Sequence, residues 1–322
     1  MSAPGWLDAR SGVRAGTAGG LAAIEAHPPA GAAKRAPVLF VPGFTGSKED
    51  FLPVLAPIAE AGYRAVAVDQ RGQYESPGPD DPAAYTVEAL AADLMIVVAG
   101  LSAESGGRPP GSGVHVVGHS FGGLVARAAV LAGAAVLAGA AGLGQGRGPG
   151  LVRSLTLLDS GPAAIRGPRR EGLMGVRAVL AAQGPAGVWR QMRNDDDRKL
   201  PPDVLAFLER RLRASSPVGL DTMAAELLAE PDRVADLALL VDSTGGREGL
   251  PVLVAFGADD DAWSPRVQAE MAARLGVPAV SIPGAAHSPA IEAPEATVSA
   301  LLAFWRRVDV PVGPGEPSCP AR

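Results

Sequence analysis

The sequence predicts an α/β fold: a mostly parallel central sheet flanked by helices, with a helical cap inserted late in the chain. Three observations carry this. Apolar runs of strand length alternate with helix-length patterns, the mark of βαβ units. A strand signal, a sharp turn and a long small-residue helix meet at Gly118-His119-Ser120-Phe121-Gly122. Between residues 161 and 248 the strand signals stop and amphipathic helical patterns replace them, before strands return. The 322 residues are 47% hydrophobic and 20% charged, which is enough apolar content to bury a full core.

The elements follow in order. Residues 1–19 form an N-terminal segment without a clear element, and the core is expected over 20–160 and 249–308. A weak strand is predicted at Leu21–Ala26 and the first clear buried strand at Pro37–Val41, followed by a helix at Phe51–Ala61. Next come a strand at Arg64–Val68, a helix around Val87–Leu101 and the strand Val114–Val117, which feeds the pentapeptide. The uncharged stretch from Ala128 to about Leu143 is shorter than the ~20 residues of a membrane span and follows Arg127, so it reads as a buried helix. Residues 144–150 alternate glycines but lack a leading strand and a following Lys-Ser/Thr pair, so they read as a loop, not a phosphate cradle. A strand at Ser154–Leu158 closes the first half of the core. In the cap, Val204, Phe207, Leu208 and Leu212 share one helical face, and Asp221 reads as the N-cap of another helix. Trp189 and Met192 either line a pocket or pack the cap. Strands return at Val252–Phe256 and Ala279–Ile282, a last helix covers Pro294–Arg307, and residues 309–322 read as a disordered Pro-rich tail.

Composition excludes several function classes. Net charge is −5 with both signs scattered, so no basic stripe suits nucleic acid and no polybasic segment suits an anionic membrane. The single cysteine, Cys319, allows neither a disulfide framework nor a thiolate metal site. The opening residues Met1 to Trp6 lack a basic stretch leading into an apolar core, so no signal peptide is read and the expected location is the cytoplasm. Asp195-Asp196-Asp197 sits among Arg193, Arg198 and Lys199 and reads as a solvated loop. No His/Cys/carboxylate spacing fits zinc, and neither metal nor cofactor is expected.

The pentapeptide carries the chemistry. A serine at the apex of a strand–turn–helix, flanked by glycines that avoid collision with the neighbouring strand and helix, is a nucleophile elbow. A serine hydroxyl needs a base, usually a histidine held by a carboxylate. Four histidines are available. His119 adjoins Ser120 and is expected to point away in so tight a turn; His115 lies within a strand and reads as structural; His27 precedes Pro28-Pro29 near the start. His287 lies just past a late strand, where parallel sheets place their sites. The orienting carboxylate should follow another strand, and Asp259-Asp260-Asp261 does so directly after Val252–Phe256.

These motifs resemble those of the α/β-hydrolase superfamily over about residues 20–160 and 250–307. Its Gly-x-x-Asp-x-x-(apolar)-x-Pro pattern is met by Gly257, Asp260, Trp263 and Pro265, which implies Asp260 as the acid. Some members place the acid at the end of the preceding core strand, here Asp159. The order Ser120, Asp260, His287 is that of the superfamily. Val68-Asp69-Gln70-Arg71-Gly72 resembles its structural D-x-R-G turn. The resemblance implies two oxyanion donors, the backbone N–H groups of Phe121 and of Phe44. Phe44 falls in Pro42-Gly43-Phe44, where the superfamily usually has His-Gly-(apolar), so proline at 42 requires different hydrogen bonding in that loop. The implied activity is hydrolysis of a small-molecule carboxylic ester through an acyl-enzyme. Thioesterases, lactonases, amidases, carbon–carbon bond hydrolases and cofactor-free perhydrolases share the triad, whereas haloalkane dehalogenases and epoxide hydrolases carry Asp where this chain has Ser120. A degenerate ligand-binding member is the non-enzymatic alternative.

Overall fold

Runs such as Val38-Leu39-Phe40-Val41 and Ala65-Val66-Ala67-Val68 offer no polar side to water, so they suit strands covered on both faces. The computed structural model describes residues 12–33, 35–104, 113–141, 151–193, 200–241 and 249–309. The 144–150 loop, Asp195–Asp197 and the tail from residue 310, with Cys319, lie outside the described residues.

One sheet of eight strands organises the molecule: β1 (Val13–Ala18), β2 (Leu21–Ala26), β3 (Val38–Val41), β4 (Ala65–Val68), β5 (Val114–His119), β6 (Val152–Leu158), β7 (Val252–Gly257) and β8 (Ala279–Ile282). Their spatial order is β1-β2-β4-β3-β5-β6-β7-β8. β1 and β2 pair antiparallel, as do β2 and β4. Every other pair is parallel. β1 lies inside the segment that the sequence left without an element. Its four central residues are exposed, so no alternation of apolar side chains marks it.

Helices cover both faces. On one, α2 (Val87–Glu104) and α3 (Phe121–Ala141) pack through Leu90, Leu94, Leu124 and Val125. On the other, α1 (Leu52–Glu60) packs through Val54, Leu55 and Ile58. Among the described residues no helix is long and apolar enough to cross a membrane.

Between β6 and β7, in the stretch where the cap is expected, lie α4 (Pro168–Met192), α5 (Pro202–Ala214), α6 (Pro217–Ala229) and the short α7 (Val234–Ala238). α4 bends at Gly184, where φ is +63°, followed by Pro185. On α5, Val204, Phe207 and Leu212 are buried and Leu208 half-buried, on the face the spacing predicts. Asp221 does not cap a helix. It lies inside α6, which begins at the stronger signal Ser216-Pro217: the Ser216 hydroxyl accepts from Gly219 N at 3.0 Å. Asp221 instead accepts a two-pronged bond from Arg177 of α4, at 2.7 and 2.9 Å. Trp189 is half-buried in an apolar cluster with Leu180, Val188, Leu212 and Leu220, whereas Met192 is 44% exposed.

Arg127 of α3 joins the cap to the core. Its guanidinium donates to Gly161 O (3.3 Å), to Pro162 O (2.8 Å) and to Glu230 Oε1 (2.9 Å), so one side chain holds both ends of the helices α4 to α6.

After β7 come α8 (Pro265–Leu275), α9 (Pro289–Glu292) and α10 (Pro294–Asp309). α10 continues past the expected end at Arg307, and Asp309, first residue of the expected tail, is its last residue. A partly buried polar knot holds this end. The Asp309 carboxylate accepts from Arg153 Nε at 2.6 Å and Tyr63 OH at 2.9 Å, and lies 3.4 Å from His115 Nε2. Burial raises the Asp309 pKa, but His115 and Arg153 override it and hold the group below the usual carboxylate range. His115 Nδ1 also lies 2.7 Å from Ser154 Oγ, so this histidine serves the scaffold.

Candidate active site

Ser120 sits at the turn between β5 and α3 with φ of +53°, a left-handed conformation that L side chains rarely adopt. Its flanks have no room for side chains. A Cβ on Gly118 would run into the Gly122 carbonyl, and one on Gly122 would meet the Val41 carbonyl and lie 2.5 Å from Pro42 O. Phe121 is the first residue of α3, so its N–H has no acceptor within its own helix.

Two further parallel strands, β7 and β8, deliver the partners at their carboxyl ends. His287 lies in the loop after β8, with Nε2 3.0 Å from Ser120 Oγ and Nδ1 2.8 Å from Asp260 Oδ1. Asp260 lies just after β7 and is buried, whereas Asp259 is exposed and Asp261 is exposed and paired with Arg169. Oδ1 of Asp260 also accepts from Ala262 N at 2.9 Å, and Oδ2 accepts from Gln268 Nε2 at 2.6 Å. Burial raises the Asp260 pKa, yet the His287 bond and charge outweigh it and hold the carboxyl below its ordinary value. With a carboxylate on Nδ1, that nitrogen carries the ring proton and Nε2 is left to accept from the Ser120 hydroxyl. Glu292 holds the His287 loop by accepting from Ala286 N (2.7 Å) and Ser288 N (3.1 Å).

The model of the Alpha/beta hydrolase family matches residues 38–300. The chain belongs to that family. Over 88 residues this alpha/beta hydrolase is 39% identical to RutD of Variovorax paradoxus, named as a carbamate hydrolase; the match spans 27% of this chain and 30% of that protein. Its backbone is similar to an esterase from Thermogutta terrifontis, with a TM-score of 0.64 and 23% identity over 92% of this chain and 100% of that one. It is also similar to the enol-lactonase of Burkholderia xenovorans, with a TM-score of 0.64 and 20% identity over 91% of this chain and 100% of that one. At these identities the structural likeness speaks for the fold.

Three further side chains shape the site of this alpha/beta hydrolase. His119 was expected to point away; its ring instead lies 5.2 Å from that of His287, and its Nε2 is 2.6 Å from the His287 carbonyl oxygen. Burial first, and the charge of His287 second, push the His119 pKa down to about 4, so a neutral ring donates from Nε2 to that carbonyl and steadies the loop. Gln268 of α8 is fully buried, and its amide reaches both Asp260 and Trp263 O (2.7 Å). A sequence signal for it exists: Gln268 is the one polar position in the buried stripe Gln268, Met271, Ala272, Leu275. Asp159, at the end of β6 with φ of +46°, accepts from Gly257 N at 2.8 Å and makes no bond to His287. Burial, and then the charge of Asp260, push its pKa well up, so it stands as a neutral acid behind the site.

Polar atoms of Asp159, Asp260 and His287 lie within 4.8 Å of one another, the one group with metal-like spacing among the described residues. Hydrogen bonds to Gly257, Ala262, Gln268 and Ser120 already engage these side chains. The D-x-R-G turn is scaffold by its contacts: Asp69 accepts from Lys48 N and Lys48 Nζ, both at 2.7 Å, and Arg71 pairs with Asp93. Phe44 is half-buried beside the nucleophile, since a Cβ on Gly43 would lie 3.1 Å from Ser120 Cβ. Among the described residues the Phe44 N–H donates to no protein group.

Proposed function

We propose that this chain hydrolyses carboxylic esters of small, largely apolar acyl substrates through a covalent acyl-enzyme. The unbroken hydrogen-bond run from Asp260 through His287 to Ser120 carries this reading. Ser120 Oγ attacks the acyl carbon while His287 Nε2 takes its proton. Asp260 holds Nδ1–H and stabilises the imidazolium. The oxyanion of the tetrahedral intermediate accepts from the N–H groups of Phe44 and Phe121. His287 then returns the proton to the departing alkoxide, leaving an ester on Ser120. Water, deprotonated by His287, attacks that ester; the acid departs and Ser120 regains its hydrogen.

The apolar cluster of the cap, Leu180, Val188, Trp189, Leu212 and Leu220, reaches Phe44, which favours an uncharged apolar group beside the reacting carbonyl. An ester is preferred because an alcohol leaves with less protonation than an amine. The same groups would act on a lactone, thioester or carbamate, and the named functions of the matched lactonase and RutD make those the first rivals on a substrate panel. Carbon–carbon bond hydrolysis and perhydrolysis belong to the same panel.

The test is labelling by a fluorophosphonate probe together with burst kinetics on an aryl ester. The wild type should carry one adduct, on Ser120, and Ser120→Ala should lose both label and burst, with turnover falling at least ~10³-fold. Ester turnover that survives Ser120→Ala overturns the mechanism. An unlabelled wild type favours a ligand-binding protein.

A further inference from the structure

We infer that Gln73 is a positioning residue that aims the Phe44 N–H, an inference that rests on the oxyanion role given to Phe44 above. Residue 42 is a proline, with neither an N–H nor a polar side chain to hold its own loop. Two buried glutamines from the turn after β4 do so instead. Gln70 Nε2 donates to Pro42 O at 2.9 Å, and Gln73 Nε2 donates to Gly43 O at 2.7 Å and to Phe44 O at 3.1 Å.

The Gly43 carbonyl and the Phe44 N–H belong to one peptide unit. That unit is planar and trans, so its C=O and N–H point in opposite directions. A donor that pins the carbonyl therefore fixes the direction of the N–H, on the side away from Gln73. The Gly46 N–H also donates to the Gly43 carbonyl, at 3.1 Å, so loss of the shorter Gln73 bond loosens this unit rather than freeing it, and glycine at 43 leaves the backbone room to turn. The donor itself is held in place. Gln73 Oε1 accepts from Gln70 N at 3.0 Å, and Gln73 N donates to Gln70 O at 2.9 Å. Gln70 and Gln73 are 3% and 1% exposed, so water does not compete for these bonds. The cap grips the residues on either side: Ser216 N donates to Gly72 O at 2.7 Å, and Tyr74 N donates to Ser215 Oγ at 3.1 Å. Gln73 never reaches the substrate; it acts through Phe44.

The experiment compares wild type with Gln73→Met, which keeps the length and removes the donor, and with Gln73→Asn, which keeps the amide and shortens its reach. Sites are counted by fluorophosphonate titration, so that turnover refers to folded, competent protein. Turnover of an aryl ester per titrated site should fall about 10- to 100-fold in Gln73→Met, somewhat less than for outright loss of an oxyanion donor. KM should stay within about twofold, and affinity for a boronic acid that forms a tetrahedral adduct should fall in step with kcat. Gln73→Asn should show the same pattern, smaller. Unchanged kcat and boronate affinity overturn the inference, as does a change confined to KM or to thermal stability. If the wild type is labelled on Ser120 and the variants match it, this inference alone fails. A wild type unlabelled on Ser120 removes the functional reading and this inference with it.

Discussion

Replacing Arg127 by methionine tests how the cap is fastened. The side chain is 1% exposed and that of Glu230 is 3% exposed, at 2.9 Å from each other. Burial lowers the Arg127 pKa, but a guanidinium remains charged at neutral pH. Arg127→Met keeps the stem but leaves a buried carboxylate without its main partner and the Gly161 and Pro162 carbonyls without this donor. Breaking a buried pair on one side costs about 3–5 kcal/mol. Arg233 Nε lies 3.9 Å from Glu230 Oε1 and takes up part of the charge, which puts the expected loss near ~3 kcal/mol. Glu230→Gln should lose a similar amount by stranding the cation. The pair Arg127→Met with Glu230→Leu should recover about 1–3 kcal/mol relative to the sum of the single losses, since no charge is then left buried. Urea unfolding, with unchanged slope and a shifted midpoint, measures all three. A single variant within about 0.5 kcal/mol of wild type, or a double variant whose loss equals the sum of the two singles, would refute the reasoning.

Further outcomes follow from the site. Asp260→Asn should lower kcat on an aryl ester about 10³- to 10⁴-fold, whereas Asp159→Asn should stay within about threefold of wild type. The second variant should also gain stability over wild type as pH rises from 4 to 8, since an acid held neutral in the folded state weakens folding once the unfolded chain ionises. Gln268→Leu removes one of the donors to the Asp260 carboxylate and should lower kcat about tenfold, read in the same assay. His119 is a base whose folded pKa is depressed from 6.5 to about 4, so the unfolded chain binds the extra proton and stability is lost as pH falls through that window. Wild type should lose about 3 kcal/mol more than His119→Asn between pH 6.5 and 4 in urea unfolding.

That Ser120, His287 and one of Asp259 to Asp261 would come together was legible because their chemistry demands particular residue types at strand ends, and histidine is scarce here; the choice of Asp260 among the three came from the resemblance to the α/β-hydrolase superfamily. The central strands were legible because burial on both faces writes an uninterrupted apolar run. What escaped the sequence depends on distant partners. β1 is an edge strand whose side chains face water, so its pairing with β2 leaves no pattern. Asp309, at the end of α10, is held by Tyr63 and Arg153, 246 and 156 positions away. His119 and Gln73 bond to backbone carbonyls, and a carbonyl has no residue type by which to announce itself. Asp221 misled because an acid suits a helix start, yet Ser216-Pro217 suits it better.

β8 lies at one border of the sheet, hydrogen-bonded to β7 alone, with three of its four residues at least partly open to water. The imidazole is therefore carried by a strand with a single neighbour, while the hydroxyl it serves rises from β5 in the interior. Fraying at a border needs far less free energy than melting the whole domain. Warming should thus silence the enzyme while β3 to β6 still protect their amides from exchange, and cooling should restore it without refolding.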